Sequence, residues 1–142
     1  KKKLEKYDTE YLEKVLKVSV DRMITLKDFD AVAGLFFAKL SYDTDLLKFK
    51  RSLWADTESG LKAALEALTN VPESAWNSEG VLNDLLVRVV AESGLKNGDV
   101  FWPVRVALSG EEKSPSPAEL LWVFGRDESL KRLKQAWKKI EK

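Results

Sequence analysis

Apolar residues recur at three- and four-residue intervals along nearly the whole chain, and no run of strict alternation is bounded by hairpin signals, so the pattern predicts helices and no strands. The first helix is expected from Asp8 or Thr9, with Tyr11, Leu12, Val15, Leu16 and Val18 on or near its apolar stripe. Thr25-Leu26-Lys27-Asp28 resembles a capping box, and Leu26, Phe29, Val32, Ala33, Phe36 and Phe37 follow it at helical spacing. A short helix is expected over Asp45–Arg51 and a longer one from about Glu58 to Thr69, ended by Pro72.

Ser78 is placed to cap the next helix, whose inward positions are Val81, Leu82, Leu85, Leu86 and Val89, with Gly94 just past its end. Asn97-Gly98 is a turn signal, and a further helix follows from about Asp99 to Leu108. Pro103 fits that helix only in its first turn, where a missing N–H leaves no bond unmade. Gly110–Ser116 is polar and loop-like. Ser116-Pro117-Ala118-Glu119 then combines a capping hydroxyl, a proline at the first helical position and a glutamate three residues after the cap. Gly125 closes that helix. Asp127 can cap the last one, where Leu130, Leu133, Trp137 and Ile140 face inward. The fold class expected is all-α, in two helical groups, 1–72 and 73–142, divided near Pro72.

Composition narrows the chemistry. The 142 residues contain no cysteine and no histidine, which removes disulfides, thiolate zinc sites, thiol nucleophiles and histidine-based triads. A 44% hydrophobic content is enough for a packed core and argues against disorder. Twenty-four Lys and Arg against 23 Asp and Glu leave a net charge of +1, so an anionic partner has to be met by a local patch. No apolar run approaches the length of a membrane span, and Lys1-Lys2-Lys3 is not followed by a signal-peptide core. A soluble, cytoplasmic, monomeric protein is the expectation.

Three constellations carry candidate chemistry. Lys131, Lys134, Lys138 and Lys142 fall on one stripe of the last helix, beside Arg132 and Lys139; they suit phosphates, or serve as a solvated face at the negative end of the helix. Phe29, Phe36, Phe37, Trp76 and Trp137 have core spacing, whereas Trp54 and Trp122 are compatible with either burial or a stacking surface. The segment Val100–Glu119 places Arg105 after Trp102-Pro103-Val104 in an apolar stretch and follows it with Ser114-Pro115-Ser116-Pro117 at a helix start. Such groups suit an anion or the edges of unstacked bases; equally, the arginine could bond helix-end carbonyls. Asp43 with Asp45, and Glu111 with Glu112, form no catalytic pair, and there is no glycine-rich phosphate loop.

The run from Lys96 to Gly110, KNGDVFWPVRVALSG, followed by Ser114-Pro115, Glu119-Leu120 and Gly125 leading into Leu130-Lys131-Arg132-Leu133, closely resembles the C-terminal anticodon-binding domain of bacterial-type glutamyl-tRNA synthetases, which are class I aminoacyl-tRNA synthetases. Arg22 with Thr25–Phe29 and Phe36-Phe37 matches in the expected order, and the likeness is weakest over 43–77. The resemblance implies an all-helical cage of two subdomains with the anticodon loop entering between them. It implies that Arg22 reads the first anticodon base, and that Arg105, Ser114, Pro115, Pro117 and Ala118 contact the second and third. Ser109 stands where threonine is common and Ala118 where phenylalanine is common. The implied partner is tRNA(Glu), with tRNA(Gln) as the alternative in less selective forms, and neither DNA nor a membrane.

The resemblance also implies a chain that is an excised, non-catalytic domain holding no cofactor. The parent enzyme would use ATP and magnesium, and its HIGH-type and KMSKS-type motifs are absent from these residues. The rival from another class is a helical protein-interaction module working through Trp54 or Trp122. A free-standing enzyme is disfavoured by the missing histidine and cysteine.

Overall fold

The computed structural model describes residues 9–21, 34, 36, 40–49 and 51–141, and its main elements among them are five α-helices and two 3₁₀ turns. They are α1 (Thr9–Asp21), α2 (Trp54–Asn70), α3 (Glu79–Ser93), α4 (Asn97–Ser109) and α5 (Pro117–Glu141), with the turns at Thr44–Leu47 and Glu73–Asn77. The described residues include no strand, as the periodicity predicts. Arg22, the Thr25–Asp28 capping sequence, Phe29 and Phe37 lie outside the described residues, as does Lys142.

Helix α1 buries Val15 and Val18, with Tyr11 and Leu12 half-buried, but Leu16 is turned out to solvent. The stripe is therefore narrower than expected. Its outer end is tied down by the Tyr11 hydroxyl, which donates to the carbonyl of Phe36 at 2.6 Å. The short helix expected over Asp45–Arg51 is a single 3₁₀ turn, Thr44–Leu47, already extended at Lys48. One apolar side chain, Leu47, anchors it, and one turn of chain gains too few bonds to repay its nucleation.

Helix α2 begins four residues earlier than Glu58. Its first turn is closed on a main-chain carbonyl: the Thr57 N–H and hydroxyl both donate to Leu53 O, at 3.0 and 3.1 Å. No side chain caps it, so nothing in the residue types marks Trp54 as the start. Thr57, Gly60, Leu61, Ala64 and Leu68 form its buried face at intervals of three and four.

Helix α3 follows expectation at both ends. The Ser78 hydroxyl accepts from the Val81 N–H at 3.3 Å, and Gly94 takes the left-handed conformation at φ 74°. Helix α5 opens with a complete reciprocal capping box: the Glu119 N–H donates to Ser116 Oγ at 3.2 Å, and the Ser116 N–H donates to Glu119 Oε1 at 2.9 Å. Gly125, at φ 80° and ψ 174°, interrupts α5 in a backbone region open essentially to glycine alone. The helical axis is thus broken where the sequence predicts one helix to end and another to begin.

Helix α2 packs on α3, α4 and α5, and α4 packs on α5, around one continuous core. Leu61, Leu68, Leu82, Leu86, Val100, Val104, Leu108, Leu120, Leu121 and Leu133 are fully buried in it. Each such side chain contributes about 1.5–3 kcal/mol of hydrophobic stabilisation. Phe36 and Trp76 join this core, Phe36 with its ring centroid 5.5 Å from that of Phe124. No helix among the described residues is long and apolar enough to cross a membrane.

Candidate nucleic-acid interface

Helix α4 presents two faces. Val100, Val104, Ala107 and Leu108 point into the core, while Gly98, Phe101, Trp102 and Arg105 recur along the other side. That second side walls a cleft of about 410 Å³, whose remaining lining is Phe49, Asn83, Asn97, Ser116 and Pro117. The volume falls in the ~300–1,000 Å³ range of small-molecule clefts.

Two helix starts meet there. Asn97 and Gly98 open α4, and Ser116 and Pro117 open α5, so the positive ends of two helix dipoles are brought to one place. Both starts are held by carboxylates. The buried Asp99 side chain accepts from the Lys96 N–H at 3.1 Å, and Glu119 accepts from Ser116. Asn97-Gly98, a turn signal in the sequence, lies inside the first turn of α4 because Asp99 supplies this side-chain acceptor three residues after Lys96.

Pro103 is not in the first turn, contrary to expectation; it is the seventh residue of α4. The helix tolerates it because the carbonyl that loses a donor, that of Asp99, leans against Gly60 of α2, where no side chain stands in the way. The same departure leaves Trp102 and Arg105 side by side on the cleft wall.

The aromatic wall is fixed from outside the helix. The Trp102 indole N–H donates to Leu46 O in the first 3₁₀ turn at 2.8 Å, which sets the ring's orientation. Phe49 meets Trp102 edge-on, with centroids 5.3 Å apart and planes at 64°. Phe49 also lies over Gly98, with ring carbon Cδ2 only 2.8 Å from where a β-carbon would stand. Glycine at 98 therefore makes room for Phe49, whose ring is 38% exposed.

Of the residues expected to contact bases, the cleft brings together Arg105 and Pro117. Arg105 is half-buried and Pro117 buried. Ser114 is half-buried and donates to the carbonyl of Pro115 at 2.7 Å; Pro115 is buried, and Ala118 is buried among the core residues. These three do not line the cleft. Phe49 and Asn83 are the lining residues the sequence did not single out; Asn97 lies within the recognised run, whereas Phe49 and Asn83 arrive from distant segments with no local signal.

The cations of α5 divide. Arg132 is turned inward: Nε bonds Glu128 Oε2 at 2.7 Å, Nη1 donates to Leu108 O at 2.5 Å, and the guanidinium lies 4.1 Å from the Phe124 ring centroid. It caps the end of α4 and is withdrawn from the basic stripe. Trp122 is covered by α1, with Lys14 Nζ 4.9 Å and Lys17 Nζ 5.6 Å from its centroid and Lys14 donating to its carbonyl at 3.2 Å. Trp54 remains 37% exposed at the start of α2. Among the described residues no group of three carboxylate, histidine or cysteine side chains is arranged to hold a metal ion.

Comparison with known proteins finds relatives over most of the chain. A glutamate–tRNA ligase of Lachnoclostridium phytofermentans is 30% identical over 135 residues, covering 94% of this chain and 27% of that protein. One from Nocardioides is 32% identical over 130 residues, 91% of this chain and 26% of its own length. The chain thus spans about a quarter of the relatives it matches. In fold it superimposes on a crystal structure of a glutamate tRNA ligase from Elizabethkingia meningosepticum in complex with its amino acid, with TM-score 0.74 and 23% identity over 94% of this chain and 26% of that one. The family model described as an anticodon binding domain matches residues 1–137, and the chain belongs to that family.

Proposed function

We propose that this chain reads the anticodon loop of tRNA(Glu), and of tRNA(Gln) if its parent is less selective, on behalf of a longer cytoplasmic glutamate–tRNA ligase. The observation that carries this reading is the cleft at Arg105. Flat aromatic walls from Phe49, Phe101 and Trp102, a stiff proline edge at Pro117, and amide or guanidinium donors from Asn83, Asn97 and Arg105 are what an unstacked base requires: a face to stack on and partners for its edges. The family membership supports the same partner.

In this reading the loop enters at the boundary of the groups 1–72 and 73–142, at the cleft that Phe49 of the first and Trp102 of the second line together. Arg105 and Pro117 touch the second and third bases, Ser114, Pro115 and Ala118 shape the wall behind them, and Arg22 reads the first base. Glutamate transfer, with its ATP and magnesium, belongs to the remainder of the parent. The amides, rings, single proline and single arginine of the cleft suit bases better than a metal-bound triphosphate.

The test is titration of the chain with anticodon stem-loops of glutamate tRNA and loop-swapped variants at fixed salt. Preference for the cognate loop is expected, and Arg105→Lys should erase part of it, because a bidentate arginine contributes about 1–3 kcal/mol of base discrimination in the comparable case of DNA. Equal affinity for every loop sequence would remove the reading.

A further inference from the structure

Beyond the break at Gly125, the second part of α5 lines another cleft, of about 600 Å³, shared with Thr69 of α2. Its cations are Arg126, Lys131, Lys134 and Lys138, against a single lining carboxylate, Asp127. The neighbouring Glu128 is occupied by Arg132 at 2.7 Å, and Arg132 itself reaches away to α4. Arg126 is anchored: Nη2 donates to Thr69 O at 3.3 Å, at the negative end of α2. Its Nε is buried and has no hydrogen-bond partner among the described residues.

We infer that this basic cleft is a second RNA contact, holding the phosphodiester backbone of the tRNA while the Arg105 cleft reads its bases; the inference rests on the tRNA reading above. A row of lysines on a convex helix is commonly only a solvated face. This row differs in that it lines a concavity together with an anchored arginine, and a concave surface dominated by one sign concentrates potential.

The spacing suits a backbone. Lys131 to Lys138 covers about 10.5 Å of helix rise, long enough for the row to meet more than one phosphate of a strand. The lining offers no stacking ring, and its one side-chain amide, Gln135, stands among cations, so this cleft favours phosphates over bases. Division of labour between a positioning contact and a specifying one is the usual arrangement in nucleic-acid recognition. It also shows how a chain with net charge +1 meets a polyanion: the positive charge is gathered locally.

The experiment uses the 142-residue chain and RNA stem-loops with cognate and swapped loops, titrated across a salt series. Lys134→Gln with Lys138→Gln should weaken all stem-loops by the same factor and make the slope of log affinity against log salt shallower by ~1.4, since each single-strand phosphate contact contributes about 0.7. Lys62→Gln with Arg88→Gln removes the same charge from exposed positions outside both clefts and should change the slope less. An unchanged slope, or an equal change in both double variants, overturns the inference. So does poly-glutamate peptide binding as tightly as RNA with the same lysine dependence.

The two readings fail separately. Loss of loop preference with a lysine-dependent slope retained removes base reading alone, and the converse removes the backbone contact alone.

Discussion

The carbonyl of Asp99 in α4 lies against the α-carbon of Gly60 in α2, so close that a β-carbon at position 60 would overlap it. Two residue choices make this contact. Pro103 has no N–H to return to Asp99, which frees that carbonyl from the helix, and Gly60 lets it approach α2 without meeting a side chain. The approach stays short enough for a Cα–H···O contact, and it seats α4 on α2 so that Trp102 and Arg105 face the cleft.

Gly60→Ala is therefore expected to destabilise the fold by about 1–3 kcal/mol, the usual cost of overpacking a close contact. In a Pro103→Ala background the cost should fall by at least ~0.5 kcal/mol, because the restored N–H draws the Asp99 carbonyl back into the helix. Urea unfolding of the two single variants and the double variant checks this. Strict additivity would show that the two positions act independently.

Much of the architecture was legible wherever a side chain does the terminating. Ser78, Gly94, the Ser116–Glu119 box and the break at Gly125 all stand where the sequence puts them, because caps and positive-φ glycines are local chemistry. The start of α2 was hidden because no side chain caps it, and Pro103 was misplaced because its tolerance depends on Gly60, 43 positions away. The cleft was half legible for the same reason. Arg105 and Pro117 lie in a recognisable motif, whereas Phe49 and Asn83 reach it only through tertiary packing, and the inward turn of Arg132, already off the lysine stripe by spacing, shows only in its bond to Leu108 O.

Phe49 is the residue of the cleft whose loss should affect binding more than folding. Its ring is partly exposed, and its contacts are with Trp102 and Gly98. Phe49→Ala should lower affinity for the cognate anticodon stem-loop by about 1–3 kcal/mol, the range for a base-stacking ring, with a smaller change in urea midpoint. Isothermal titration beside urea unfolding separates the two effects. Undiminished affinity would remove Phe49 from the stacking wall.

The capping box at α5 makes a second local prediction. Ser116→Ala removes the acceptor for the Glu119 N–H and should cost about 1 kcal/mol. Glu119→Gln keeps an acceptor for the Ser116 N–H and should cost less than Glu119→Ala. Thermal unfolding monitored by circular dichroism ranks the three variants, and a Glu119→Gln as damaging as Glu119→Ala would show that the return bond contributes nothing.

Tyr42 gives the fold a signature at high pH. Its hydroxyl is buried without a hydrogen-bond partner among the described residues, and burial pushes the phenol up from 10.0 to about 12, against the opposing pull of the Arg132 charge. Lys139 Nζ sits 3.9 Å from the ring centroid, and the main chain beside it packs on Gly110. A phenol whose proton is held more tightly in the folded state contributes stability that is fully present below pH 10, its unfolded value. That contribution is lost as pH rises through the folded value near 12, because the unfolded chain releases the proton first. Absorbance titration near 295 nm should show one tyrosine ionising late, and the urea midpoint should fall across that window. Tyr42→Phe should abolish the late step and flatten the fall. A late step that survives the substitution would assign it to another tyrosine.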